Sequence, residues 1–199
     1  MRLSGPIGAG GEQLRVALAQ KAILIEGPSD ELIIKKMFRD EYNRLPEELG
    51  IEVIVVSGLG FKNYLNIAKI VGTRTLVIRV NDGDYQLNIT DWFQDYQQYD
   101  HLNISAPNDN RLNSLEPALI HENSNTIENL DQFATVVLST RKKNEYDRIA
   151  NLEDKQDFLR ELFIDDGAKK VDLAIRIFDS RANSIVYPEY LREALRLAE

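Results

Sequence analysis

Three short apolar runs, separated by segments of helix length, constrain the fold of this chain more than any other feature. Residues 22–25, 52–56 and 75–80 have the length of strands, and they are mostly apolar instead of alternating between apolar and polar residues. Strands with this pattern belong to parallel sheets that helices cover on both faces. The chain is therefore predicted to have an α/β fold with a central, mostly parallel sheet.

Helical patterns fill the intervals between these runs and most of the second half of the chain. Ser29 is a typical N-cap residue, and the two acids after it are favoured near a helix N-terminus. The sequence predicts helices over about 29–43, 61–70 and 88–99, and a fourth strand over 102–105. Beyond about residue 117 the pattern is mostly helical, and the run 134–138 fits either a strand or a helix.

The same patterns divide the chain into three parts. Four glycines among the first eleven residues predict a flexible arm or linker over 1–20. These glycines do not form a P-loop, because Glu12 and Gln13 stand where Lys and Ser or Thr are required. An α/β core is expected over 21–125 and a helical C-terminal extension over 126–199.

The residue types narrow the chemistry that this chain can perform. There is no cysteine and there are two histidines among 199 residues, which excludes thiolate zinc sites and cysteine nucleophiles and argues against a histidine-based zinc site or triad. The formal charge of −8 is opposite to that of a general nucleic-acid coat. Catalysis must therefore rest on carboxylates, basic side chains and hydroxyls with a hard cation. No apolar run approaches the roughly 18 residues of a spanning helix, so a cytoplasmic protein without a membrane partner is expected.

Acidic residues follow the first and third runs at the point where each strand ends. Glu26 closes the first run, Asp30 lies one turn later, and Asp82 and Asp84 flank a glycine after the third run. The carboxyl ends of parallel strands meet at one edge of the sheet, so these acids are expected to converge there. Their mutual repulsion calls for a divalent cation, and all-oxygen ligands suit Mg²⁺ or Mn²⁺. The structural alternative is an ordinary turn at 82–84 and a helix-dipole role for Asp30.

This pattern resembles a Toprim domain, the metal-binding module of topoisomerases, bacterial primases and several nucleases. The Toprim signature is a Glu at the end of the first strand and an Asp-x-Asp at the end of the third. Within that group the chain is similar to the nucleases of the OLD (overcoming lysogenisation defect) family. Four elements carry this similarity in the family's order, at 23–30, 114–117, 170–178 and 187–191. The resemblance spans about residues 20–198 and implies a Rossmann-like Toprim sheet of about four strands flanked by helices.

The resemblance implies a metal-dependent DNA endonuclease with two bound ions. The residues implied as metal ligands are Glu26, Asp30, Asp82, Asp84, Ser114 and Glu116. Glu26 and Asp82 are also the implied catalytic acids, and Lys170 is expected to stabilise charge on the scissile phosphate. Lys169 is the competing choice for that lysine, and a lysine that only lies along an apolar stripe is the structural alternative. The alternative function is a non-catalytic Toprim module that assists assembly or regulation of an ATPase.

The resemblance also implies partners. OLD nucleases carry an ABC-type ATPase before this domain, and the chain has no Walker A motif, so it is expected to be the nuclease portion of a larger protein or a stand-alone relative. DNA is the expected substrate, a homo-oligomer is also considered, and phage defence is the role implied at family level. No cofactor besides the metal is expected.

Several basic and glycine-rich positions are secondary candidates. Arg141, Lys142 and Lys143, together with Lys169, are candidate contacts to the DNA backbone, although such runs are usually solvated faces. The turn at 57–60 offers backbone N–H groups to a phosphate, or is an ordinary strand-to-helix turn. An arginine at position 79, inside a buried apolar run, is expected to pair with a nearby acid.

Overall fold

Four parallel strands form the sheet that the apolar runs predict. They are β1 (Lys21–Ile25), β2 (Ile51–Val55), β3 (Arg74–Ile78) and β4 (Leu102–Ser105), in the spatial order β2-β1-β3-β4. Leu24 lies opposite Ile54 on one side and Val77 on the other, which fixes the register of β1 with its two neighbours β2 and β3. The predicted α/β class with a parallel sheet of four strands is confirmed.

This computed structural model describes residues 9–56, 60–164, 167–181 and 184–199. The first eight residues of the predicted arm and most of the candidate phosphate turn at 57–60 lie outside the described residues. The α-helices of the described residues are α1 (Ala9–Leu18), α2 (Pro28–Tyr42), α3 (Phe61–Val71), α4 (Leu115–Glu122), α5 (Ile127–Val137), α6 (Thr140–Tyr146), α7 (Leu152–Ile164), α8 (Gly167–Asp179) and α9 (Glu189–Arg192). Among these residues, no helix combines the length and the apolar composition needed to cross a membrane.

The strands β1, β2 and β3 bury side chains on both faces of the sheet, which explains why their runs are mostly apolar. Ile23 and Ile25 belong to one hydrophobic core, which residues of α2, α4, α5, α7 and α8 complete. Leu24 and Ile54 belong to a second core on the opposite face, together with residues of α1 and α3. The helices of the predicted extension 126–199 therefore share a core with the sheet and do not pack as a separate unit.

Two segments differ from the predicted elements, and a third settles a prediction that was ambiguous between strand and helix. Within the predicted flexible arm, 9–18 is a helix, because Val16 is fully buried and Arg15 pairs with Glu52 of β2 at 2.7 Å. The predicted helix at 88–99 is instead a π-helical turn (Gln86–Asp91) followed by a 3₁₀ turn (Gln94–Tyr96), although its aromatic side chains still pack into the core. The ambiguous run 134–138 lies largely in α5, which the side chain of Thr126 caps by accepting from the Asn129 N–H.

Candidate active site

An open cleft at the carboxyl edge of the sheet gathers side chains from distant parts of the sequence. Its volume is 310 Å³, several times the roughly 30 Å³ that one water occupies in the liquid. The polar residues that line it are Glu26, Ser29, Asp30, Ser114, Glu116 and Lys170. Four of the six predicted metal ligands and the predicted catalytic lysine therefore meet in one place.

Local backbone structure places the two acids that lie early in the chain. Glu26 follows the last residue of β1 directly, and Asp30 lies in the first turn of α2. The Gly27 N–H donates to Asp30 Oδ2 at 3.0 Å, which holds this carboxylate against the start of the helix. The strand end and the helix start thus present both carboxylates at the edge of the sheet.

Glu116 reaches the cleft from the first turn of α4, where it is 4% exposed. The Ser114 hydroxyl donates to Glu116 Oε2 at 3.0 Å, and Lys170 Nζ lies 3.5 Å from the same oxygen. Lys170 projects from α8, one turn before the fully buried Leu173 and Ala174. Because those two residues fix α8 against the core, the lysine on their side of the helix is directed into the cleft.

The carboxylates of the cleft lie close enough to change one another's proton affinity. Burial, together with the negative charges of Glu26 and Glu116, raises the pKa of Asp30 to about 7, and the hydrogen bond from the Gly27 N–H opposes this rise. Burial also raises the pKa of Glu26, although the Arg79 guanidinium opposes this effect. A cleft with such uncompensated negative charge favours a bound cation.

Tyr190 is a buried residue near this site that the sequence analysis did not single out, and it lines a separate cavity. Its side chain is 6% exposed, and its hydroxyl has no hydrogen-bond partner among the described residues. Burial raises the pKa of Tyr190 far above its ordinary value, and the charges of Asp30, Glu116 and Glu26 add to that effect. The only signal in the sequence was the resemblance of the segment 187–191.

Arg79 forms the ion pair expected of a basic residue in an apolar run. Its Nη2 donates to Asp82 Oδ2 at 2.8 Å, and its Nε lies 3.1 Å from Glu26 Oε1. The Nε–H is not aligned with the Glu26 carboxylate, so the second contact is an ion pair without a well-directed hydrogen bond. The guanidinium carbon lies 5.2 Å from the ring centre of Trp92 and 5.8 Å from that of Phe61.

Neither aspartate of the Asp-Gly-Asp turn is among the described residues that line the cleft. Asp82 has a left-handed backbone with φ 50° and a side chain that is 54% exposed. Asp84 Oδ1 accepts from the Leu87 N–H at 3.0 Å and so caps the π-helical turn. Of the described residues that follow β3, Val80 lines the cleft, whereas Asp82 and Asp84 do not.

Buried Asn81 holds this turn in place. Its side-chain amide donates to the carbonyls of Pro107 and Asp109 at 2.8 and 3.0 Å, and its side-chain oxygen accepts from the Gly83 N–H at 2.9 Å. These bonds join the turn to the segment between β4 and α4. The position of Asp82 and Asp84 is thus set by contacts from outside the Asp-Gly-Asp sequence.

The secondary basic candidates are engaged elsewhere. Arg141 and Lys142 pair with Glu145 at 3.4 and 2.6 Å, and Lys143 pairs with Asp147. Lys169 lines a different cavity, on the side of α8 that faces Leu138 and Phe163. The geometry therefore favours Lys170 over Lys169 as the lysine of the cleft.

The donor chemistry of the cleft fits a hard divalent cation. Carboxylate oxygens from Glu26, Asp30 and Glu116 with the Ser114 hydroxyl form the all-oxygen set that Mg²⁺ or Mn²⁺ prefers. The set is not closed, because no three His, Asp or Glu side chains within the described ranges are arranged to hold an ion together.

The sequence that forms the first three strands matches a known protein family. Residues 18–84 match the family model described as "Overcoming lysogenization defect protein-like, TOPRIM domain". This segment is similar to OLD-like Toprim domains. It contains Glu26, Asp30, Asp82 and Asp84, and it covers the first three strands. The resemblance expected from the sequence is confirmed.

Solved structures extend the likeness beyond that segment. The C-terminal region of the Burkholderia pseudomallei OLD protein is 18% identical with a TM-score of 0.56, and the match covers 90% of this chain and 96% of that one. The corresponding region of the Xanthomonas campestris pv. campestris OLD protein is 20% identical with a TM-score of 0.55, with coverages of 91% and 94%. At these identities the likeness shows a shared fold, including the helical C-terminal part. A comparison with curated protein sequences gives no significant match.

Proposed function

We propose that this protein is a metal-dependent endodeoxyribonuclease that hydrolyses phosphodiester bonds at the cleft, as the nuclease portion of an OLD-type ATP-dependent nuclease. One observation carries the proposal: Glu26, Asp30 and Glu116 meet Lys170 in a single open cleft at the carboxyl edge of an OLD-like Toprim sheet. Acids for a cation and a basic group for a phosphate are the two requirements of this reaction.

The cleft residues have distinct roles in this proposal. Glu26, Asp30 and Glu116, with Ser114, would hold Mg²⁺ or Mn²⁺, and a bound ion supplies Lewis-acid polarisation of the phosphate and activation of a water. Lys170 lies 3.5 Å from Glu116 and is positioned to stabilise negative charge that develops on the phosphate oxygens. The hydrogen bond from Ser114 orients the Glu116 carboxylate for contact with both the cation and Lys170. The resemblance to OLD nucleases implies two ions, and the cleft contains four of the six side chains expected to bind them.

DNA affinity is proposed to come largely from the ATPase portion. The chain carries a formal charge of −8, and the basic residues of α6 are paired with their own acidic neighbours. Counterion release from phosphates, which supplies non-specific DNA affinity, needs basic side chains that are not already neutralised. Assembly with that ATPase, a homo-oligomeric state, a cytoplasmic location and a role in phage defence belong to the same proposal.

Plasmid cleavage with Mg²⁺, Mn²⁺ or EDTA tests the proposal, in the presence and absence of the ATPase portion. We expect metal-dependent cleavage that EDTA stops and that Lys170→Met reduces about 10²- to 10³-fold. Lys169→Met is the matched control, because it removes the same charge from the neighbouring position and should leave the rate unchanged. Cleavage that survives EDTA, or that falls equally in both lysine variants, would contradict the proposed site.

A non-catalytic Toprim module is the second candidate function. The observation that favours it is the cleft wall after β3, where Val80 stands and the two aspartates of the turn do not. This function predicts neither Mn²⁺ binding nor cleavage in any of the reactions above. Calorimetric titration with Mn²⁺ therefore separates the two candidates before any DNA is added.

A further inference from the structure

We propose that Arg79 takes the place of a second metal ion, so that the site binds one divalent cation and uses a guanidinium as its other positive centre. The inference rests on the proposed function, and it concerns how many ions the site holds. Three observations support the inference. Arg79 lies between two acids, two aromatic rings hold its guanidinium, and the remaining oxygen donors line the cleft.

The register of the sheet places Arg79 beside Glu26. Leu24 of β1 lies opposite Val77 of β3, so continuing both strands by two residues brings Glu26 opposite Arg79. The resulting Nε–Oε1 distance is 3.1 Å, and Asp82 receives the other end of the guanidinium at 2.8 Å. Pairing is thus a consequence of strand alignment, and it recurs whenever this sheet forms.

Surrounding groups fix the guanidinium in this position. The Arg79 side chain is 10% exposed and lies between the rings of Trp92 and Phe61, within the roughly 6 Å typical of cation–π contacts. The backbone N–H of Arg79 donates to the Ser105 carbonyl of β4 at 3.2 Å. An ion between Glu26 and Asp82 would have to displace this arginine and leave a charge in a mostly buried position.

The other donors lie together in the cleft that Glu26 also lines. Asp30, Glu116 and Ser114 line the cleft with Lys170, and Val80 provides the wall where a further ligand would have to stand.

Charge balance agrees with one ion. The site contains four carboxylates, from Glu26, Asp30, Asp82 and Glu116, and two basic side chains, Arg79 and Lys170. When all four carboxylates are ionised, one divalent cation brings this group to neutrality before a phosphate binds. A second would leave an excess of two positive charges unless Arg79 moved out.

Counting bound Mn²⁺ tests the inference. Calorimetry and electron paramagnetic resonance on the full chain should give one Mn²⁺ per wild-type protein. Arg79→Met keeps an unbranched apolar side chain against Trp92 and Phe61 but frees Glu26 and Asp82, so the count should rise to two. Arg79→Lys retains the charge and should keep a count of one. Arg74→Met, at the exposed start of the same strand, is the matched control and should also bind one ion.

The outcomes are distinguishable. Two ions in the wild-type protein overturn the inference, whatever the variants do, and leave the proposed nuclease intact. An unchanged count of one in a folded Arg79→Met variant, with folding checked by circular dichroism, also overturns it. A wild-type protein that binds no Mn²⁺ refutes the proposed function itself, and the inference falls with it.

Discussion

The Asp131 carboxylate of α5 pairs with the buried Lys155 of α7. Removing this carboxylate is expected to destabilise the fold more than removing the charge of Lys155. Lys155 is 6% exposed, and its Nζ lies 2.6 Å from Asp131 Oδ1 and 4.5 Å from the ring centre of Tyr146. The Tyr146 hydroxyl donates to the same Asp131 oxygen at 2.8 Å. Asp131→Ala therefore leaves a buried ammonium and a buried hydroxyl without their acceptor.

The structure sets the size of this effect. Breaking a fully buried pair costs about 3–5 kcal/mol, but the Asp131 side chain is 40% exposed, so we expect Asp131→Ala to lower the free energy of unfolding by about 2–3 kcal/mol. Lys155→Met removes the charge together with its need for a partner and keeps most of the apolar stem. Its expected cost is about 1 kcal/mol or less.

Urea unfolding followed by circular dichroism measures both variants. At pH 7 the midpoint of Asp131→Ala should lie clearly below that of Lys155→Met, and equal losses would refute the reasoning. Burial favours a higher pKa for Asp131, but the hydrogen bonds from Lys155 and Tyr146 outweigh it and lower that pKa. The stabilisation is thus present above the unfolded-state pKa of about 3.9 and is lost as the pH falls through the lower folded value. The difference between wild type and Asp131→Ala should therefore persist from about pH 5 to 7 and shrink below about pH 4.

Three further substitutions test the elements that build the site. Asn81→Ala removes both bonds to the β4–α4 segment and should cost about 1–3 kcal/mol in thermal melting; a change under about 0.5 kcal/mol would contradict its anchoring role. Leu173→Ala opens the core under α8 and should cost about 2–5 kcal/mol in urea unfolding, with a lower cleavage rate because Lys170 shifts; full retention of stability would argue against the packing of α8. Thr126→Ala should cost about 1 kcal/mol and speed amide exchange at Asn129, and unchanged exchange would show that the cap is unimportant.

The part of the site that depends on local structure could be predicted from the sequence. Glu26 follows a strand and Asp30 begins a helix, so their position needs only the assignment of those two elements and the rule that parallel strands end at one edge. Glu116 and Lys170 come from α4 and α8, which no local pattern places beside β1. For these two residues the family resemblance supplied what the sequence pattern alone lacked.

The position of the Asp-Gly-Asp turn could not be predicted from its own residues, because hydrogen bonds to a later segment of the chain determine it. Asp82 adopts its left-handed backbone while Asn81 is bonded to Pro107 and Asp109, which lie more than twenty residues further along the chain. The glycines of the predicted arm misled in a similar way. Burial of Val16 and the ion pair with Glu52 stabilise α1, and neither contact is visible in the composition of that segment.

Arg79 shows why an exception to a pattern is informative. A charged side chain in a buried strand must find a partner, since an unpaired buried charge is strongly unfavourable. The apolar run around Arg79 predicts the strand. Its positive charge is therefore neutralised at the end of the strand, where the register places Glu26 beside it. The same contact occupies two of the predicted metal ligands, because Asp82 binds the other end of the guanidinium. The residue that fits the strand pattern least is therefore the one that limits how many ions the acids of this site can hold.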